Sequence, residues 1–288
     1  MLDKIIAFFM SIITFFLTLF GINLKSCQTF ENVKYGEHER QVLDLYIPED
    51  AEGNIGLVLM IHGGAWVAGD KESYRENCKT IAKDYGCAAA TINYRYLSET
   101  VTMNDILDDI TAAAAKIRAA GEASGVIIDK MILTGMSAGG HLSLLYSYSR
   151  ADEAAIKPVA VVNQCGPADF TDKNFLNSSL GADNIYMLFS WATGTEITAD
   201  NMEGNPDLLA VSPVTYAATA VPTVTAHGVK DSIVPFSNAT ALDNALKNAG
   251  VRHDFIPYPN SDHDLGSDKD CESAAFDLYV EYINEYLR

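Results

Sequence analysis

Basic side chains are scarce in this chain: twenty lysines and arginines stand against thirty-eight aspartates and glutamates in 288 residues, a formal net charge of −18. A surplus of that sign repels phosphate backbones and anionic membrane surfaces at long range, which argues against nucleic acid as a partner. The acidity is spread along the chain, with no block of like charge and no low-complexity tail, so it reads as a solvated surface. Cysteine is sparse too. The five present, Cys27, Cys78, Cys87, Cys165 and Cys271, form no CxxC pair, so no zinc site, redox motif, metal or cofactor is indicated. Their spacings select no disulfide, and buried free thiols account for them at least as well. Internal repeats and interdomain linkers are also missing. With 48% apolar residues, the chain has enough material for one sizeable core.

One long hydrophobic run is present. Ile5 to Ile22 is uncharged, between "MLDK" and "NLKSC", and eighteen helical residues reach about 27 Å, just short of a hydrocarbon core of about 30 Å. Residues 1–27 therefore read as a signal peptide or a membrane anchor. The anchor fits slightly better because no small-x-small cleavage site follows, and Cys27 only loosely matches a lipidation site. Either reading makes the protein exported, membrane-anchored or secreted, with membrane contact confined to residues 5–22.

Residues 28–288 change texture. "VKYGEHERQVLDLYIP" alternates as two strands around a short turn. The runs "GLVLMIH", "CAAATINY", "KMILTG" and "PVAVVNQC" are then apolar on both faces, as strands covered by helices on both sides must be. Helical spacing appears over Tyr74 to Asp84, Met103 to Ile117 and Ala138 to Ser149. Two more strands, "VPTVTAH" and "HDFIPYP", are separated by a helix near Ser237 to Ala249, and another helix ends the chain. The order predicts an α/β fold, a doubly wound, mostly parallel eight-stranded sheet with its ligand site at the carboxyl ends of the strands. Between about residues 167 and 216 the alternation stops, and a cap or lid insertion is expected there.

The chemistry-bearing residues fall at those strand ends. "GMSAG", Gly135 to Gly139, follows an apolar run and opens a helix; the pentapeptide is weak evidence alone, but strand-turn-helix is the setting that exposes a strained serine. Ser137 is the candidate nucleophile. "HGGAW", His62 to Trp66, ends another strand, and its glycines let backbone N–H groups turn toward a developing oxyanion. Gly64, Ala65 and Ala138 are assigned as donors, with the N–H of Gly63 an open alternative. Trp66 is assigned to the pocket wall, and His62 reads as scaffold. A serine hydroxyl needs a base, and the base needs a carboxylate to fix its tautomer. Asp231 and His263 lie a few residues beyond the last two strands, in the order Ser, Asp, His. Asp169 is the rival acid. His38, His141, His227 and His253 fall in a turn, a helix or strands and suit the base less well. Asp262 and Asp264 flank His263 too closely to brace its ring, but can stabilise its cation.

With those residues in place, the chain resembles the α/β-hydrolase superfamily, and within it the carboxylesterases of the hormone-sensitive-lipase-like and feruloyl/acetyl-xylan-esterase-like (BD-FAE) groups. "LDLYIP", "HGGAWVAGDK", "INYR", "GMSAGGH", "HGVKDSIVP" and "SDHD" occur in that order. The resemblance implies a serine carboxylesterase that hydrolyses short-chain acyl esters, including acetylated or feruloylated carbohydrates, through an acyl-enzyme and without a cofactor. Ala65 stands where many relatives carry a third glycine, and Asp262 where they often carry a small residue. An aryl formamidase or small serine peptidase could use the same triad. A non-catalytic surface binding protein would be expected to have lost one of its members.

Overall fold

The computed structural model describes residues 26–288; residues 1–25 of the expected leader, with the whole apolar run, lie outside the described residues, while Cys27, expected to end the leader, already opens the first strand of the sheet. Among those described, no helix is long and apolar enough to cross a membrane. The entry hairpin is present: strand β1 (Cys27–Lys34) pairs antiparallel with β2 (Val42–Pro48). Six strands follow, β3 (Gly53–Ile61), β4 (Ala88–Ile92), β5 (Val126–Met136), β6 (Lys157–Gln164), β7 (Thr223–Gly228) and β8 (His253–Tyr258). They run parallel to one another in one eight-stranded sheet ordered β1-β2-β4-β3-β5-β6-β7-β8.

Helices α1 (Arg75–Tyr85), α2 (Met103–Ala123), α3 (Ala138–Ser149), α6 (Phe236–Ala249) and α7 (Lys269–Tyr282) form the crossovers and the end of the chain. The apolar runs are explained by this layering. Leu57, Leu59 and Ile61 of β3 enter one core with α2 and α3, while Val58 and Met60 enter a second core with α1 and the chain end. Alternation within a strand assigns side chains to opposite faces, and both faces here are dry. Helix α2 begins in a capping box, in which Asp105 accepts from the Thr102 backbone N–H at 2.8 Å.

The stretch between β6 and β7 holds two short helices, α4 (Ala182–Thr193) and α5 (Pro206–Ala210), flanked by 3₁₀ turns at Lys173–Asn177 and Pro213–Thr219. Phe170, Phe175 and Phe189 pin it to the body: Phe170 stacks on Phe189 at 4.5 Å and lies 4.7 Å from the ring of His141 in α3. All five cysteines are free, and Cys78, Cys87 and Cys165 are buried.

Connectivity decides where the site falls. From β3 the chain moves outward to β4, then returns to place β5 on the other side of β3. The crevice at such a reversal, beyond the carboxyl ends of the strands, is open to a ligand. Ile61 is paired with Gly135 across it, so the turns after these two residues, "HGGAW" and "MSAGG", emerge side by side.

Candidate active site

Ser137 occupies the turn between β5 and α3 with φ 58° and ψ −125°. A non-glycine residue in such a region costs about 1–3 kcal/mol and persists only where its surroundings dictate it. Those surroundings are tight. A Cβ on Gly135 would lie 2.3 Å, and one on Gly139 1.9 Å, from the Ile61 carbonyl oxygen, so the strand and helix can close on the turn only with glycine on both sides. The Ser137 N–H donates to the Gln164 carbonyl at 2.8 Å. Ala138 is the first residue of α3, and a helix leaves its first N–H groups without an internal partner.

The loop after β3 lies directly against this turn. A Cβ on Gly63 would meet the Met136 carbonyl at 2.8 Å and the Ser137 Cβ at 3.3 Å. Ala65 and Trp66 both take left-handed φ values, 49° and 61°, and their strain is held by hydrogen bonds. The Trp66 indole N–H donates to His141 Nδ1 at 3.2 Å, and His141 Nε2 donates to the Val211 carbonyl at 2.8 Å. One imidazole therefore ties the loop to the segment that ends α5. Burial lowers the pKa of His141 to about 4, which keeps the ring neutral and able to accept from Trp66. His62 behaves as scaffold: it is buried, stacked 4.4 Å from the Tyr94 ring and lowered to about 4, chiefly by desolvation.

Asp231 and His263 meet at the other side. His263 Nδ1 lies 2.7 Å from Asp231 Oδ2, with the carboxylate fully buried and the imidazole 16% exposed. The second oxygen of Asp231 accepts the N–H groups of Ile233 and Val234 at 2.9 and 2.8 Å. The loop itself thus fixes one oxygen of the carboxylate and leaves the other for the ring. Asp262 joins the two loops, taking the Ser232 N–H at 2.8 Å and the His263 N–H at 2.7 Å. Those backbone donors, Ser232 first, hold its carboxyl below the ordinary range. The bracing role withheld from Asp262 on spacing therefore goes to the backbone of His263 and not to its ring. The rival acid, Asp169, instead turns to Thr171, whose N–H and hydroxyl its Oδ1 accepts at 2.9 and 2.7 Å, while His263 Nδ1 meets Asp231.

Ser137 also borders a narrow apolar space with Ala65, Trp66, Phe175, Leu188, Phe189 and Val234, and about 20 Å³ of it is free. That volume takes about one water molecule or a methyl group. Trp66 is therefore both wall and anchor. A larger cavity of about 470 Å³ lies between α1, α7 and the sheet, but no serine, cysteine or histidine lines it. An open cleft of about 630 Å³ beside His38, Arg40 and Asp70 is larger again, and the strained serine and the ordered Asp–His pair outweigh size in both cases.

Sequence reasoning missed four residues that the structure places at the site. His141 and His227 were set aside because they lie on a helix and in a strand. Leu188 and Phe189 gave no signal, because their stretch has no strand or motif next to it.

A doubly wound sheet with a strained serine after β5 and an acid and histidine after β7 and β8 defines an α/β-hydrolase. Solved structures agree on the fold: a carbohydrate esterase from gut microbiota superposes with a TM-score of 0.70 at 20% identity, over 91% of this chain and 97% of that one. A bacterial heroin esterase does so with 0.71 at 22% identity, over 92% and 86%. Residues 43–246 match the BD-FAE family model, and the chain belongs to that family. Among curated relatives, the "Probable carboxylic ester hydrolase LipM" of Mycobacterium tuberculosis is 30% identical over 84% of this chain and 58% of its own length. The "Probable isoprenylcysteine alpha-carbonyl methylesterase ICME" of Oryza sativa subsp. japonica is 26% identical over 83% and 58%. The chain thus spans somewhat over half the length of these relatives.

Proposed function

We propose that the protein is a serine carboxylesterase acting on acetyl and other very short acyl esters, carbohydrate esters among them. In this reading Ser137 attacks the ester carbonyl while His263 takes its proton, with Asp231 holding the imidazole in the required tautomer and stabilising its cation. The oxyanion accepts N–H donors from the loop at Gly64 and Ala65 and from Ala138, each of which is worth roughly 2.7–4 kcal/mol at such a position. His263 then protonates the leaving alcohol, and water repeats the cycle on the acyl-enzyme. The segment 167–216 serves as a cap over the acyl group, since Phe175, Leu188 and Phe189 come from it.

The observation that carries this reading is the fully buried Asp231 carboxylate 2.7 Å from His263 Nδ1, on the fold whose strained serine is Ser137. The narrow apolar space at that serine favours acetyl over feruloyl as the acyl group. The test uses the full chain with p-nitrophenyl acetate, butyrate and ferulate, an acetylated xylo-oligosaccharide and an aryl formamide, with Ser137→Ala alongside. Acetyl ester turnover that falls about 10⁴-fold or more in the variant supports the reading. Undiminished turnover, or a preference for the formamide, overturns it.

A further inference from the structure

We propose that His227 is a positioning residue for the triad, sharing the Asp231 carboxylate with His263 and setting how much of its negative charge reaches the base. The inference rests on the triad assignment above. His227 lies at the end of β7, fully buried, with Nε2 3.0 Å from the Val234 carbonyl and 3.3 Å from Asp231 Oδ2. A carbonyl only accepts, so Nε2 carries the proton and donates it to Val234, with the Asp231 carboxylate oxygen 3.3 Å from the same nitrogen. Nδ1 is buried without a partner, and an unmet acceptor there agrees with the same tautomer. Burial lowers the pKa of His227, so the ring is a neutral donor at working pH.

The same carboxylate oxygen receives His263 Nδ1 at 2.7 Å. Two imidazoles therefore compete for one oxygen, one buried and neutral, the other at the mouth of the site and required to become a cation during the reaction. Among the described residues, the imidazoles of these two histidines are the basic side chains within 4.0 Å of the Asp231 carboxylate. The other groups facing the cluster supply no positive charge. The Cys165 thiol, from the end of β6, has its sulfur within 4.8 Å of the His227 and Asp231 donor atoms. Desolvation first, and then the charge of Asp231, keeps it protonated. Phe236 of α6 packs edge-on against His227 at 6.0 Å, and the carboxylate of Asp262 is engaged by Ser232 and the His263 N–H. With Nε2 on Val234 and Asp231 Oδ1 taken by the N–H groups of Ile233 and Val234, the Cys165 and His227 side chains pack around the acid within 4.8 Å of it.

The N–H of His227 withdraws charge from Oδ2 and fixes the carboxylate in the plane that His263 needs. Without that donor, Asp231 holds the His263 cation more strongly, so the base stays protonated to higher pH. The acid limb of the kcat/KM profile then moves up, and kcat falls because the carboxylate has lost a restraint.

The test is the pH profile of the full chain with p-nitrophenyl acetate. His227→Leu should move the acid limb up by about half a pH unit or more, the scale of one shared hydrogen bond. It should lower kcat by about 10-fold, with KM within about twofold. His227→Gln, whose amide reaches about as far as Nε2, should restore the limb and most of kcat. His227→Asn, whose amide ends near Nδ1, should behave like leucine, and it serves if the leucine variant does not fold. An acid limb unchanged in the folded Leu or Asn variant overturns the inference, as does a Gln variant that shifts equally. If turnover proves independent of Ser137, it is the triad assignment that fails; Ser137-dependent turnover with an unmoved limb removes only the role of His227.

Discussion

Leu188→Ala should lengthen the acyl group that the protein accepts. Leu188 projects from α4 into the space beside Ser137, is 4% exposed, and helps reduce the free volume there to about 20 Å³. Truncation removes three carbons, enough to admit the two extra methylenes of a butyryl group. At about 0.8 kcal/mol per buried methylene, the two contribute about 1.6 kcal/mol in favour of the longer acyl chain, roughly a 15-fold change. The ratio of kcat/KM for p-nitrophenyl butyrate to that for the acetate should therefore rise by roughly that factor relative to the unaltered chain. Leu188 is a better choice than Phe189, whose ring stacks on Phe170 at 4.5 Å and helps hold the whole segment. The substitution should also cost about 2–5 kcal/mol of stability, so the assay belongs well below the melting transition. An unchanged butyrate-to-acetate ratio in a folded variant would refute the assignment of this space to the acyl group, and so would an unaltered chain that already prefers hexanoate.

Asp231→Asn should lower kcat by about 10⁴-fold while the melting temperature changes little, because the amide keeps the shape but favours the wrong His263 tautomer; steady-state kinetics beside a thermal melt checks this. Lys71→Met should lower the melting temperature by roughly 10 °C. Lys71 is 1% exposed and pairs at 2.9 Å with the fully buried Asp44, and removing one partner of a buried pair costs about 3 kcal/mol or more. Calorimetry showing no shift would mean that Arg75, 3.0 Å from the same carboxylate, neutralises Asp44 alone. Stability should also fall as pH drops from 6.5 to 4. His62 and His141 are held neutral near pKa 4 by burial, against 6.5 in the unfolded chain, so the unfolded state binds more protons across that window. The loss is about 3 kcal/mol for each histidine by the lower end, measurable by urea titration at several pH values, and His141→Gln should flatten the slope.

Much of the fold was legible because its strands are dry on both faces and its helices are punctuated by recognisable ends. The helix over Ala138–Ser149 and the last two strands lie where periodicity put them. The pairing of Asp231 with His263 was legible for a related reason: both follow strands of the same parallel sheet, and parallel strands deliver their following loops to one edge. His227 was not legible. Its place in a strand argued against a role, yet four residues later the tight turn after that strand brings Asp231 back over the imidazole at 3.3 Å. His141 was hidden in the same way by its helix, because its partner Trp66 is 75 residues away in the chain.

What the sequence determined by itself, then, is local and periodic: which runs are strands, where glycines permit a strained turn, and which polar residues end up at the ligand edge. Those properties follow from backbone sterics and from the burial pattern within a few residues. Tertiary structure alone decided which imidazole faces which carboxylate, how the loop at Ala65 and Trp66 is held against its strain, and how little room is left beside Ser137. Each of these depends on distances between atoms far apart in the chain. Such distances are set by how the sheet and helices pack together, and no single segment encodes them.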